Sequence, residues 1–124
     1  MEIVRRSYET FQSGDLEAAV EFAHPEFEFV SRFGAMHGRT YKGLAGVRDY
    51  LADIAETWHR YERELEELID AGDAVVAILT ITAVSRATEI PITQRIGMVY
   101  WLRDRRIARL VSYPSVEEAL EAVR

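Results

Sequence analysis

Three histidines, His24, His37 and His59, are the side chains of this sequence best suited to move protons near neutral pH. His24 directly precedes Pro25, a position suited to hydrogen-bonding the backbone at a helix–strand corner. His37 lies in a loop that could line a cavity mouth, which makes it the candidate for acid–base work, although a solvated loop histidine fits equally. His59 follows Trp58 at a helix end, where a cation complements the helix dipole. Their scattered positions give no metal-ligand spacing, so no metal and no cofactor are expected. With no cysteine, thiol catalysis, disulfides and Cys-based metal sites are excluded together. The Asp and Glu side chains that can be placed fall on outer helix faces, turns and outward strand faces, where they read as solvated charge.

These groups sit in a chain of 124 residues, expected to form one domain with a substantial core. The composition, 48% hydrophobic and 29% charged, is that of a folded protein. The net charge of −6 argues against nucleic acid and against an anionic membrane, because phosphate binding needs a positive surface. No apolar run reaches spanning length and no leader pattern opens the sequence. A soluble, cytoplasmic protein is expected.

The elements that must position any chemistry begin with two helices. The first runs from Glu2 to Gln12 with Val4, Tyr8 and Phe11 at core spacing, and ends at Ser13-Gly14. Asp15 caps the second, although Ala18 stands where Glu or Gln would complete a capping box. Leu16, Ala19, Val20 and Ala23 form its inner face, and Pro25 ends it. A strand from Glu26 to Phe33 alternates, with Phe27, Phe29, Ser31 and Phe33 on one face. The loop Gly34–Gly43 holds a short strand at Arg39–Lys42. A third helix, Leu44 to Trp58, shows the stripe Leu44, Val47, Tyr50, Leu51, Ile54 and Trp58, with Asp49, Asp53, Glu56 and Arg60 toward water.

The second half reads as sheet. Tyr61–Ile69 is a strand with a mostly charged outer face, Asp70–Asp73 a hairpin turn, and Ala74–Arg86 a β-branched strand. Pro91–Arg103 and Ile107–Tyr113 follow, joined by the glycine-free turn Asp104-Arg105-Arg106. Pro114 stops the last strand, and Ser115 with Glu118 caps a terminal helix. The fold class is α+β: a curved antiparallel sheet with helices on one face, enclosing a cone whose mouth is the natural ligand site.

Several pieces carry a family resemblance. They are Tyr8-Glu-Thr-Phe11 with Ser13-Gly-Asp-Leu16, His24-Pro25 leading into Glu28-Phe29, and Gly38-Arg-Thr-Tyr-Lys-Gly43 before Gly46-Val47. Leu68-Ile-Asp-Ala-Gly-Asp73, Leu102-Arg-Asp104 and Val116-Glu-Glu-Ala-Leu120 continue the series. In this order they resemble the SnoaL-like branch of the nuclear transport factor 2-like (NTF2-like) superfamily. The resemblance implies an NTF2-like/cystatin-like cone but not an activity, because one fold hosts many functions. Known members include polyketide cyclases, isomerases, epoxide hydrolases, dehydratases and carrier-type binders.

The resemblance also implies which strand faces look inward. They are Ile92, Gln94, Ile96, Met98, Tyr100 and Leu102 in one strand, Val75, Ala77, Leu79, Ile81 and Ala83 in its neighbour, and Ala108, Leu110 and Ser112 in the last. Relatives often carry histidine at the position of Met98 and aspartate at that of Ser112, so the obvious proton acceptor is missing. Tyr50, Trp58, Gln94, Tyr100 and Ser112 would bring polar tips to the cavity, and Phe29, Phe33, Met36, Ile54, Leu79 and Met98 its apolar wall. Such a pocket suits a flat or branched hydrophobic molecule with one or two polar groups. The weak catalytic candidates are His37, Tyr100 and Ser112. On the opposite sheet face, Val76, Ile78, Thr80, Val84, Arg95 and Trp101 suggest a homodimer surface.

Three functions follow as expectations. The first is a small-molecule binder without evident base chemistry. The second is an isomerase, polyketide cyclase or epoxide hydrolase using His37 or a Tyr–Ser–Gln arrangement with an ordered water. The third is a dimeric regulatory or assembly module.

Overall fold

The chain is described by a computed structural model covering residues 2–15, 17–18, 21–31 and 38–124. Helix α1 spans Glu2–Gln12 and seals Val4 completely against the sheet. Gly14, at φ 88°, turns the chain out of the helix. Asp15 then caps as expected, its Oδ1 accepting from the Ala18 amide at 3.1 Å. Leu16, Ala19 and Val20, expected on the inner face of a second helix, lie outside the described residues. Ala23, expected on that same face, instead opens strand β1 (Ala23–Ser31).

The early start of β1 has a local cause. Ala23 pairs with Ile107, but the register then shifts, and regular pairing resumes only at Glu28 opposite Arg109. Pro25 lies in the shifted segment and has no N–H to give a ladder. His24 occupies the same segment, and its Nδ1 accepts from the Glu26 amide at 3.0 Å. The backbone role expected of His24 is the one it has.

Strand β2 (Thr40–Lys42) pairs antiparallel with β1 and leads into helix α2 (Gly43–Thr57). Gly46 is required where this helix crosses β2, since a Cβ there would stand 2.6 Å from the Tyr41 carbonyl carbon. The helix ends one residue before Trp58, which is already extended and begins β3 (Trp58–Asp70). His59 is therefore an exposed strand residue rather than a helix terminus. Asp53 is not simply solvated either: it accepts from the Tyr41 hydroxyl at 2.7 Å and pairs with Arg39 at 3.0 Å.

Strands β4 (Ala74–Ser85), β5 (Pro91–Arg103) and β6 (Arg106–Tyr113) complete a six-stranded sheet of order β2-β1-β6-β5-β4-β3. The expected all-antiparallel sheet is corrected at one place, where β1 runs parallel to β6. The β3–β4 turn follows its residue types: Gly72 takes φ 83° and donates to Asp70 Oδ1 at 3.0 Å. The β5–β6 turn puts Asp104 and Arg105 at φ 53° and 62°, a conformation usually left to glycine or asparagine.

Two bulges decide what faces inward. In β3 the register passes from Leu65↔Leu79 to Glu67↔Ile78, so both Leu65 and Leu68 pack on the inner core with Val75 and Ala77. In β6 it passes from Arg109↔Trp101 to Ile107↔Leu102. Ala108 is thereby displaced from the inward set, and Ile107, 3% exposed, takes its place.

Helix α3 (Val116–Ala122) corrects a second expectation, that the helices share one face. Ser115 caps it, accepting from the Glu118 amide at 3.2 Å. It then packs Ala119 against Val76 and Val99, on the sheet face opposite α1 and α2. Val76 and Ile78 are buried within the single chain, and Trp101 packs beside the same cluster. Thr80 and Arg95 instead join Glu66 in a polar group, at 2.7 and 3.2 Å. The apolar area left on this face for a second copy is smaller than strand alternation alone suggests. Among the described residues no helix is long and apolar enough to cross a membrane.

Candidate functional site

Strand β3 supplies the residue at the centre of the site. Tyr61, Arg63 and Leu65 share a face, paired in register with Ala83, Ile81 and Leu79, while Glu62 and Glu64 are exposed on the other. The chain thus carries a half-buried guanidinium on the inner face of the sheet. Arg63 Nη2 donates to the Tyr50 hydroxyl at 2.7 Å. Its guanidinium carbon stands 4.6 Å from the Tyr61 ring centre, 5.5 Å from that of Phe11 and 5.7 Å from that of Tyr50. These are cation–π distances. No carboxylate among the described residues pairs with it, although the other arginines at ion-pairing distance find one.

Arg63 lies between two cavities. The first, about 330 Å³, is walled by α1, α2, β1 and the inner ends of β5 and β6, including Tyr8, Phe11, His24, Leu44, Val47, Tyr100 and Leu110. The second, about 230 Å³, is walled by Ser31, Ile54, Trp58, Tyr61, Gln94, Ile96 and Ser112. Phe29, Tyr50, Arg63 and Met98 line both and form the partition. Phe29 and Tyr50 meet edge to face at 4.7 Å, which fixes the ring next to the guanidinium. Among the described lining residues of these cavities there is no Asp or Glu.

The expected pocket residues divide between these spaces. Tyr100 lines the first, while Ile54, Trp58, Gln94 and Ser112 line the second. Leu79 lines neither and is fully sealed in the core behind them. Phe33, Met36 and His37 lie outside the described residues. The Tyr–Ser–Gln arrangement is not assembled, because Tyr100 faces a different cavity from Ser112 and Gln94. Gln94 Nε2 is moreover engaged by the Pro114 carbonyl at 2.9 Å. The Ser112 hydroxyl is buried with no hydrogen-bond partner among the described residues.

Electrostatics follow from burial. The Tyr100 phenol is pushed up by burial and by the nearby Tyr8 oxygen. Tyr61 is raised by burial and by Tyr50, and Tyr8 by burial, against the lowering pull of Arg63. Near neutral pH these phenols are therefore proton donors rather than bases. For Arg63 burial works against the charge, but the oxygens of Tyr50, Tyr61 and Tyr8 outweigh it and hold the guanidinium above its ordinary range. The centre of the site is a cation beside neutral hydroxyls in an apolar wall, and Arg106 adds a second guanidinium to the lining of the first cavity. His24, on the rim of the first cavity, has its Nδ1 occupied by a backbone amide, and its Nε2 lies 3.7 Å from Asp104. No cluster of three or more His, Asp or Glu that could hold a metal occurs among the described residues.

Residues 4–110 match the family described as the SnoaL-like domain. The chain belongs to that family. No protein of curated function matches this SnoaL-like chain. Solved structures share its fold. An NTF2-like protein from Burkholderia thailandensis matches with a TM-score of 0.82 at 24% identity, over 96% of this chain and 95% of that one. An NTF2-like protein of unknown function from Burkholderia pseudomallei matches with a TM-score of 0.78 at 19% identity, over 99% and 95%. TerC, co-crystallised with polyporic acid, matches with a TM-score of 0.78 at 24% identity, over 98% and 95%. At these identities the likeness is one of fold. Within that fold, the SnoaL-like chain places Met98 in the partition and Ser112 in the second cavity, and neither can accept a proton as His or Asp would.

Sequence reading missed Arg63, Tyr8 and Tyr61 as site residues. The signal was present for Arg63: Tyr61 and Leu65 flank it at a spacing of two, so it shares their face.

Proposed function

We propose that this SnoaL-like protein binds a small hydrophobic molecule in the paired cavities between α1, α2 and the sheet. The observation that carries the reading is the lining: aromatic and aliphatic walls with a few polar tips, Tyr8, Tyr100, Ser112 and the Arg63–Tyr50 pair, which is the make-up of a small-molecule site. A flat ring system fits spaces of about 330 and 230 Å³ bounded by Phe29, Tyr50 and Trp58. TerC, alike in fold, was co-crystallised with polyporic acid, which supports a small-molecule reading.

Catalysis of the isomerase, cyclase or hydrolase kind is the second reading. The neutral phenols of Tyr8 and Tyr100 favour it, since donors aimed at developing negative charge stabilise an oxyanion. A proton acceptor would have to come from His24 or from the ligand itself.

Thermal-shift screening of flat, apolar one- to three-ring compounds, with native mass spectrometry on the hits, tests the binding reading. A raised melting temperature with one ligand per chain is expected. A screen without shifts or adducts would overturn it.

A further inference from the structure

The feature that small-molecule binding alone leaves unexplained is the charge at the centre of the site. Charged side chains are rarely buried unless paired, because removing a cation from water is costly. Arg63 is half-buried in a chain of net charge −6 with 21 acidic residues, yet none of the described ones pairs with it. Arg39, Arg95, Arg103 and Arg109 each lie within 3.2 Å of a carboxylate oxygen. The Arg63 guanidinium has five N–H donors and, among the described residues, uses one, to Tyr50. The rings of Tyr61, Tyr50 and Phe11 lie at cation–π distance from it but carry no negative charge. Arg63 itself lines both cavities.

We propose that Arg63 is the anion subsite of this pocket and that the ligand is an organic anion, an aromatic carboxylate, whose carboxylate lies against the guanidinium while its rings fill the apolar cavities. This rests on the binding reading above and adds the charge of the ligand to it. Three observations converge on a planar oxyanion. A guanidinium fork matches a carboxylate with two parallel hydrogen bonds. The Tyr8 hydroxyl, beside Arg63, is shielded from solvent with only the Leu65 backbone near it among the described residues, and it has a proton to give. No acidic side chain among the described residues lines either cavity to compete for the cation or repel the ligand. Tyr50 acts as a positioning residue: its hydroxyl holds Nη2, and its ring is fixed by Phe29.

The test is a matched pair of probes, 2-naphthoate and 2-naphthamide, equal in shape and differing in charge. Calorimetric titration of the wild-type protein at neutral pH is expected to show naphthoate binding at least about tenfold tighter than naphthamide. In Arg63→Gln that preference disappears. Arg63→Lys, which keeps the charge but loses the fork, retains only part of it. The comparison within wild type needs no variant, so a poorly folded Arg63→Gln protein does not spare the proposal. Equal binding of the two probes overturns the anion subsite and leaves the binding reading standing. If neither probe binds and the neutral screen is also empty, both fall.

Discussion

Arg63 Nη2 lies 2.7 Å from the Tyr50 hydroxyl, joining the middle of β3 to the middle of α2 across the space between two cavities. A phenol oxygen is a weak counterpart for a half-buried cation, and its neutrality leaves the charge free to act outward. Tyr50→Phe removes this bond while keeping the ring and its contact with Phe29. A hydrogen bond to a buried charge contributes about 1–3 kcal/mol, and we expect a loss of that size in urea denaturation. An unchanged midpoint would mean that the aromatic rings alone hold Arg63.

The buried phenols make stability sensitive to alkali. Tyr41 is raised to about 12 by burial and by its hydrogen bond to Asp53, and Tyr8, Tyr61 and Tyr100 are raised as well, burial being the leading cause. Their folded pKa values exceed the unfolded value near 10, so above that pH the folded state holds more protons than the unfolded one. Stability is therefore fully present below about pH 10 and lost as pH rises toward 12. Phenolate absorbance and circular dichroism followed together should show these tyrosines ionising late, as secondary structure is lost. Ionisation of all six tyrosines in the ordinary range with the fold intact would contradict the burial argument.

The terminal helix is seated by a glycine. A Cβ at Gly97 would stand 2.4 Å from Ala119 Cβ, closer than carbon atoms can approach. Gly97→Ala is expected to cost about 1–3 kcal/mol by overpacking, read as a lowered melting temperature. Ala119→Gly in the same chain should recover part of the loss, because the two positions share one contact. Additive effects of the two changes would show that α3 shifts bodily instead.

Ser112 offers a change in the other direction. Its hydroxyl is buried without a partner among the described residues, so it contributes desolvation cost and no bond there. Ser112→Ala is expected to be neutral or stabilising by up to about 1 kcal/mol in chemical denaturation. A loss greater than that would reveal a water satisfying the hydroxyl.

What the sequence determined by itself is local in physical origin. Ser115 caps α3 through the Glu118 amide, Asp70 and Gly72 close the β3–β4 turn, and Asp15 caps through the Ala18 amide, because each bond spans two or three residues. Strand alternation was legible for β4 and β5, whose pairing runs unbroken from Ala74↔Trp101 to Val84↔Pro91. Tertiary structure decided the rest. Alternation separates two faces without saying which is inside, so only packing of α1 and α2 over β3 made Arg63 a half-buried cation on the inner face. A bulge reverses parity with no signature at the bulged residue, which is why Ile107 rather than Ala108 turns inward. The parallel pairing of β1 with β6 and the seat of α3 on the far face bring together residues distant in the chain, which no local pattern records. The candidate site lies where these non-local choices meet, and they decided that the strand face shared by Tyr61, Arg63 and Leu65 lines it.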